Sequence, residues 1–176
     1  MKTYAKLEAG ALRMMERVPN ISNPTEAQRA AYAAANGYKE LRRTEKPGRY
    51  YAQGWHETAK LITETWTAWE LATAKKDALQ TVQARLDAVL DARATVPCEG
   101  FPAGIVYDRN ALINAGGLAE GDTFIDAADG LHTLTAADVE TITTALKAHR
   151  QGLYAQATQS RTAIAAAQTV DELPQE

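Results

Sequence analysis

Between Tyr4 and Met14 apolar and polar residues alternate about a glycine: Tyr4-Ala5-Lys6-Leu7, then Glu8-Ala9-Gly10, then Ala11-Leu12-Arg13-Met14. That period of two predicts a small hairpin with Gly10 at its turn. Val18–Pro24 is irregular. A short helix follows to about Ala35, capped by Asn23 or Thr25, with Pro24 suited to its first turn and Asn36-Gly37 as its stop. Tyr38–Arg43 reads as a strand broken by Pro47-Gly48. Arg49–Trp69 carries the strongest alternation, with Tyr51, Gln53 and Trp55 on one parity and Ile62, Glu64 and Trp66 on another. It predicts two antiparallel strands joined by a polar turn near Glu57-Thr58.

The period then changes. Over roughly Thr73–Ala94, Leu79, Val82, Leu86, Val89 and Arg93 step by three and four, with Leu90 beside them. This is a helix with a seam of about three heptads, short for a free coiled coil but suited to docking on another helix. Val96–Pro102 is a linker by composition. Gly104–Tyr107 predicts a short strand. Asp108 is placed to cap a helix over Arg109–Ala115 that stops at Gly116-Gly117. Thr123–Asp126 and Leu131–Leu134 predict a hairpin. Thr135, with Asp138 three residues on, opens a last helix to about Ala167 as a capping box. Its seam is Val139, Ile142, Leu146, His149, Leu153, Gln156 or Ala157, Ser160 and Ile164. The first half of this helix should pack on its own hairpin, which leaves the second half for a partner. Thr169 and Glu172 suggest a final capped turn.

The fold class is therefore α+β. It comprises a small N-terminal antiparallel β module (residues 1–72), a connecting coiled-coil-like helix (73–95) and a C-terminal α+β module (96–176) of a short hairpin and a long terminal helix.

Charge adds a direction to this picture. Residues 1–95 hold 15 Lys/Arg against 11 Asp/Glu, and residues 96–176 hold 4 against 11. That asymmetry can steer one half of the chain toward the opposite half of another copy. A nucleic-acid footprint needs a denser basic patch than Lys39, Arg42, Arg43, Lys46 and Arg49, which read as a solvated strand face. The single Cys98 forms no internal disulfide, and there is no cysteine–histidine metal spacing. No apolar run reaches the length of a membrane span, and the first ten residues do not form a signal peptide, so a cytoplasmic setting is expected.

Candidate chemistry is sparse. His56, His132 and His149 have no serine, cysteine or carboxylate at a recognisable catalytic spacing, and His149 reads as a packing residue on the seam. Glu120, Asp122, Asp126 and Asp129 lack the order of a calcium loop and read as polar hairpin corners. No nucleophile with an activating base and no cofactor motif is evident, so no enzyme is expected. Tyr51, Trp55, Trp66 and Trp69, with Tyr50, predict cross-strand core pairs. The alternative is a carbohydrate- or receptor-binding face.

Two stretches carry a family resemblance. "YAKLEAG", "NPTEAQ", "ANGYKEL" and "YYAQGWHETAKLITETW", with Gly54, Trp55, Glu57, Thr58, Ile62 and Trp66, resemble the leader module of small phage and prophage tail-region proteins. The stretch "GIVYDRNALINAGGL" and the sequence from "TFIDAADGLHTLTAADVE" to "VDEL" look like an uncharacterised C-terminal domain of tail-fibre and tail-fibre-assembly-like proteins. The resemblance implies a non-enzymatic tail protein, either a tail-fibre assembly chaperone or a structural or attachment component. Its expected partners are a tail fibre or another tail protein and further copies of itself, with no nucleic acid and no membrane. Its place is the bacterial host cytoplasm during assembly, or the virion tail.

Overall fold

The structure, a computed structural model, describes residues 2–175. The chain is α+β and divides into two compact units. One reaches to Glu70 and includes Gln175; the other spans Leu71–Pro174.

In the first unit, β1 (Tyr4–Glu8) and β2 (Ala11–Met14) form the expected hairpin. Ala9 and Gly10 both take positive φ at its turn, which matches the twist of a two-residue hairpin loop. Of the two candidate caps for α1 (Glu26–Ala35), Thr25 is used. Its hydroxyl accepts the Gln28 N–H while the Gln28 side chain accepts the Thr25 N–H, so two helix-end donors are satisfied reciprocally. Strands β3 (Lys39–Arg42), β4 (Tyr51–Glu57) and β5 (Leu61–Ala68) complete a sheet of order β2-β1-β3-β5-β4. All its pairings are antiparallel except β3 with β5. β4 makes that parallel pairing possible, because it takes the chain out to the sheet edge before β5 returns to lie beside β3.

Residues directly opposite each other in a ladder share a face. Tyr4, Met15 and Ala33 are buried together under α1, and the Tyr4 hydroxyl donates to Glu26 Oε1 at 2.9 Å. On the other face Ala5, Leu41 and Ile62 are buried, with Leu7, Leu12, Met14 and Trp55 packed around them.

The second unit contains α2 (Leu71–Asp91), β6 (Ala94–Cys98), β7 (Phe101–Tyr107), α3 (Ala111–Ala115), β8 (Thr123–Ile125), β9 (Leu131–Thr133), α4 (Ala136–Ala166) and a 3-10 turn at Val170–Glu172. The composition of Val96–Pro102 suggested a linker, but the segment is the heart of the β6–β7 hairpin. Its prolines are tolerated because Pro97 falls at a shift in register between Val96 and Cys98, and both Pro97 and Pro102 are exposed. The inward residues, Val96, Phe101, Ile105 and Tyr107, supply the burial. Gly104 is fixed by its backbone: φ is +76°, and a Cβ there would lie 2.7 Å from Thr95 Cγ2 and 2.8 Å from the Val96 carbonyl oxygen.

Asp108 does not cap α3. It accepts the N–H of Asn110 at 2.8 Å, and the helix begins one residue later with no side-chain cap. The box at Thr135 forms as expected: Asp138 donates its N–H to Thr135 Oγ1 and accepts the Thr135 N–H. At the chain's end, Glu172 accepts the Gln168 N–H and the Thr169 hydroxyl.

Candidate functional site

The helix residues singled out as an interaction seam meet each other within one unit. Helices α2 and α4 run antiparallel: Lys75 Nζ donates to the Ala165 carbonyl at 2.8 Å, and Arg161 donates to Gln83 at 2.6 Å. The lysine thereby satisfies one of the last carbonyls of α4, where a cation is favoured. On α4 the seam is realised. Ile142, Leu146, Ala157 and Ile164 are buried, Val139 and Leu153 pack against the same core, and His149 sits edge-on to Tyr107 at 4.6 Å.

On α2 the phase differs from the heptad reading. The covered row is Ala74, Ala78, Val82, Leu86 and Leu90, stepping by four. A row of that step drifts by about 40° per interval, so Leu79 and Val89 are left 41% and 40% exposed on either side of it. Two small residues cause the difference. Ala74 and Ala78 let α4 approach closely at the end of α2 where the heptad pattern has no large side chain. The helix that the sequence suggested as a connector between modules lies, from Leu71 on, inside the second unit.

The β8–β9 hairpin holds a buried acid, Asp126, at its turn. Phe124 and His132 face inward against Phe101, at 5.5 and 4.9 Å between ring centres. Asp126 is buried at the turn; its Oδ1 accepts the N–H groups of Ala128 and Gly130, and its Oδ2 lies 2.8 Å from His132 Nε2. The hydrogen bond from His132, then those from Gly130 and Ala128, hold the Asp126 carboxyl below the ordinary range. Local spacing offers no evident partner for His132. The partner lies six positions back, across a turn in which Asp129 takes φ +62° and Gly130 leaves room for the carboxylate. An acid and a histidine flanking a short Asp-Gly turn are the signal that would have found it.

On the outer face of the same ribbon, Ile125 and Leu131 stand directly opposite each other and are 55% and 72% exposed. Among the described residues, no group of three histidine, cysteine, aspartate or glutamate side chains is placed to hold a metal ion, and no helix is long and apolar enough to cross a membrane. Burial, then Asp138 and Glu99, push the Cys98 thiol up, so it is held protonated and weakly nucleophilic.

The register divides the four aromatic candidates. Trp55 lies opposite Glu64, Gln53 opposite Trp66, and Tyr51 opposite Ala68, so Tyr51, Trp55 and Trp66 occupy one face and all are half-buried. Trp69 lies beyond the strand, edge-on to the buried Tyr50 at 5.8 Å and 37% exposed. Glu64, buried between the rings, accepts the Gln53 amide and the Thr44 N–H, and these two bonds hold its carboxyl low.

These elements define a two-unit α+β protein whose second unit is an antiparallel helix pair closed by two hairpins. The family described as "Domain of unknown function (DUF4376)" matches residues 82–175, more than half of the chain, and the chain belongs to it. No curated protein and no solved structure matches the chain.

Proposed function

We propose that this chain is a non-enzymatic assembly protein of the tail region of a phage or prophage, acting on a tail fibre as a chaperone or beside it as a tail component. The sequence resemblance supports the setting. The observation that carries the interaction role is the outer face of the β8–β9 ribbon, where Ile125 and Leu131 are held in register with their side chains in water. Apolar residues so placed on a rigid ribbon gain free energy only when something covers them. The acidic residues of the same segment, Glu120, Asp122 and Asp129, are exposed and favour a partner with a basic rim.

The test is co-expression with the tail-fibre polypeptide of the same phage or prophage, followed by size exclusion with light scattering. The expected result is a stable complex, or a defined oligomer of the chain, that Leu131→Asp weakens by at least about tenfold in Kd without lowering thermal stability. A monomer that forms no complex with the fibre would sink the proposal.

A further inference from the structure

We infer that the β4–β5 face of the first unit is a stacking platform for a neutral oligosaccharide. The inference is independent of the tail-assembly reading, because it rests on a different unit and on different residues.

The rings are ordered along the strands. Trp55, Trp66 and Tyr51 occupy successive rungs of the ladder on alternating strands, roughly 7 Å apart along the strand direction. A zigzag of aromatic surface at that spacing fits a chain of linked rings better than a single compact ligand. Each tryptophan is pinned along one side. Trp55 packs on the cluster around Ile62. Trp66 donates its indole N–H to Thr44 Oγ1 at 3.1 Å, and that hydroxyl donates to the Glu64 carbonyl at 3.2 Å. Both rings are therefore oriented before any ligand arrives, which lowers the ordering cost of binding.

The polar groups between the rings select the ligand's chemistry. Glu64 is acceptor-only when ionised, so Gln53 must turn its NH2 toward it. The amide oxygen of Gln53 is left pointing away, on an exposed side chain. The indole N–H of Trp66 and one N–H of the Gln53 amide are spent, which leaves that amide's oxygen and its second N–H on offer. A sugar hydroxyl both donates and accepts, so it can use both. A polyproline segment, which brings only carbonyl acceptors, can use one.

Charge argues for neutrality. Lys39, on the same face, is paired with Glu57 at 2.7 Å, and the charge of Glu64 is opposed by that of Arg43. A second copy stacked on this face would have to bury Gln53 beside the charged Glu64 at its centre, whereas the centres of protein interfaces are depleted of charge.

The experiment is calorimetric and fluorescence titration of the full chain with cellohexaose, maltohexaose and chitohexaose, with a proline-rich decapeptide alongside. Binding of at least one hexasaccharide in the millimolar range or tighter is expected, with a change in tryptophan emission. Trp66→Ala and Tyr51→Ala should each weaken it by about tenfold, and Gln53→Ala by several-fold. Trp69→Ala, off the face, should leave it unchanged. Tyr51→Ala and Gln53→Ala keep the test decisive if Trp66→Ala unfolds. Absence of binding by all three sugars overturns the inference. So does binding of the peptide instead, an equal loss in Trp69→Ala, or a dimer dispersed by Gln53→Ala.

Discussion

Ile142→Ala is expected to cost the second unit about 3–4 kcal/mol, whereas Leu79→Ala should cost less than about 0.5 kcal/mol. Both are large aliphatic residues on helical stripes that look alike in sequence, and only their surroundings differ. Ile142 is fully buried, in a core that also contains Leu86, Leu90, Ile105 and Leu146. Truncating it removes the transfer free energy of its side chain and leaves a cavity that two packed helices and a hairpin cannot collapse to fill. Leu79 is 41% exposed and outside the row that meets α4. Urea unfolding followed by circular dichroism reads the difference: the midpoint should fall in Ile142→Ala with little change in slope and stay in place in Leu79→Ala. A loss in Leu79→Ala comparable to that in Ile142→Ala would mean that α2 is packed along its heptad face, as in a coiled coil between chains. The internal helix pair would then not be the arrangement that stabilises the protein.

That contrast also shows what a sequence can carry. Local rules were legible: the Thr135–Asp138 box, the hairpin about Gly10, the α4 seam from Val139 to Ile164 and the β4–β5 pair all depend on residues within a turn or two of each other. The phase of α2 was not. Ala74 and Ala78 count for little in a hydrophobic pattern, yet they decide where α4 can approach. The β6–β7 hairpin was hidden by Pro97 and Pro102, which read as linker residues until the register shift shows how a strand can hold them. Parallel pairing of β3 with β5 joins strands separated by β4 and has no local signature. Among the site candidates, the alternation put Tyr51, Gln53 and Trp55 on one side of β4. Only the pairing with β5 shows that Trp66 and Glu64 share that side.

The Asp126–His132 pair gives the second large effect, and it depends on both the substitution and the pH. Asp126→Ala is expected to lower the melting temperature of the second unit by on the order of 10 °C, because it leaves two backbone N–H groups and the His132 ring without their acceptor. Asp126→Asn should be much milder at neutral pH. The amide oxygen can take the place of Oδ1, which accepts both backbone donors, and the NH2 can face His132 once the imidazole shifts its proton to Nδ1. Acid should bring the wild type down toward the asparagine variant. The folded carboxyl is held below its unfolded value by His132 first and by the Gly130 and Ala128 N–H groups next. Its contribution is therefore complete above the unfolded value of about 3.9 and is lost as pH falls through the lower folded one. Asp138, held low by Thr135, and Glu172, held low by Gln168 and Thr169, add to the same acid limb. Below about pH 4 the asparagine variant should therefore show a shallower decline than wild type, not a flat line. Melting curves from about pH 4 to about pH 3 measure this directly. If wild type and Asp126→Asn declined in parallel over that range, Asp126 would be making no net contribution as a carboxylate, and the hairpin would have to be held by the packing of Phe124 and His132 on Phe101 alone.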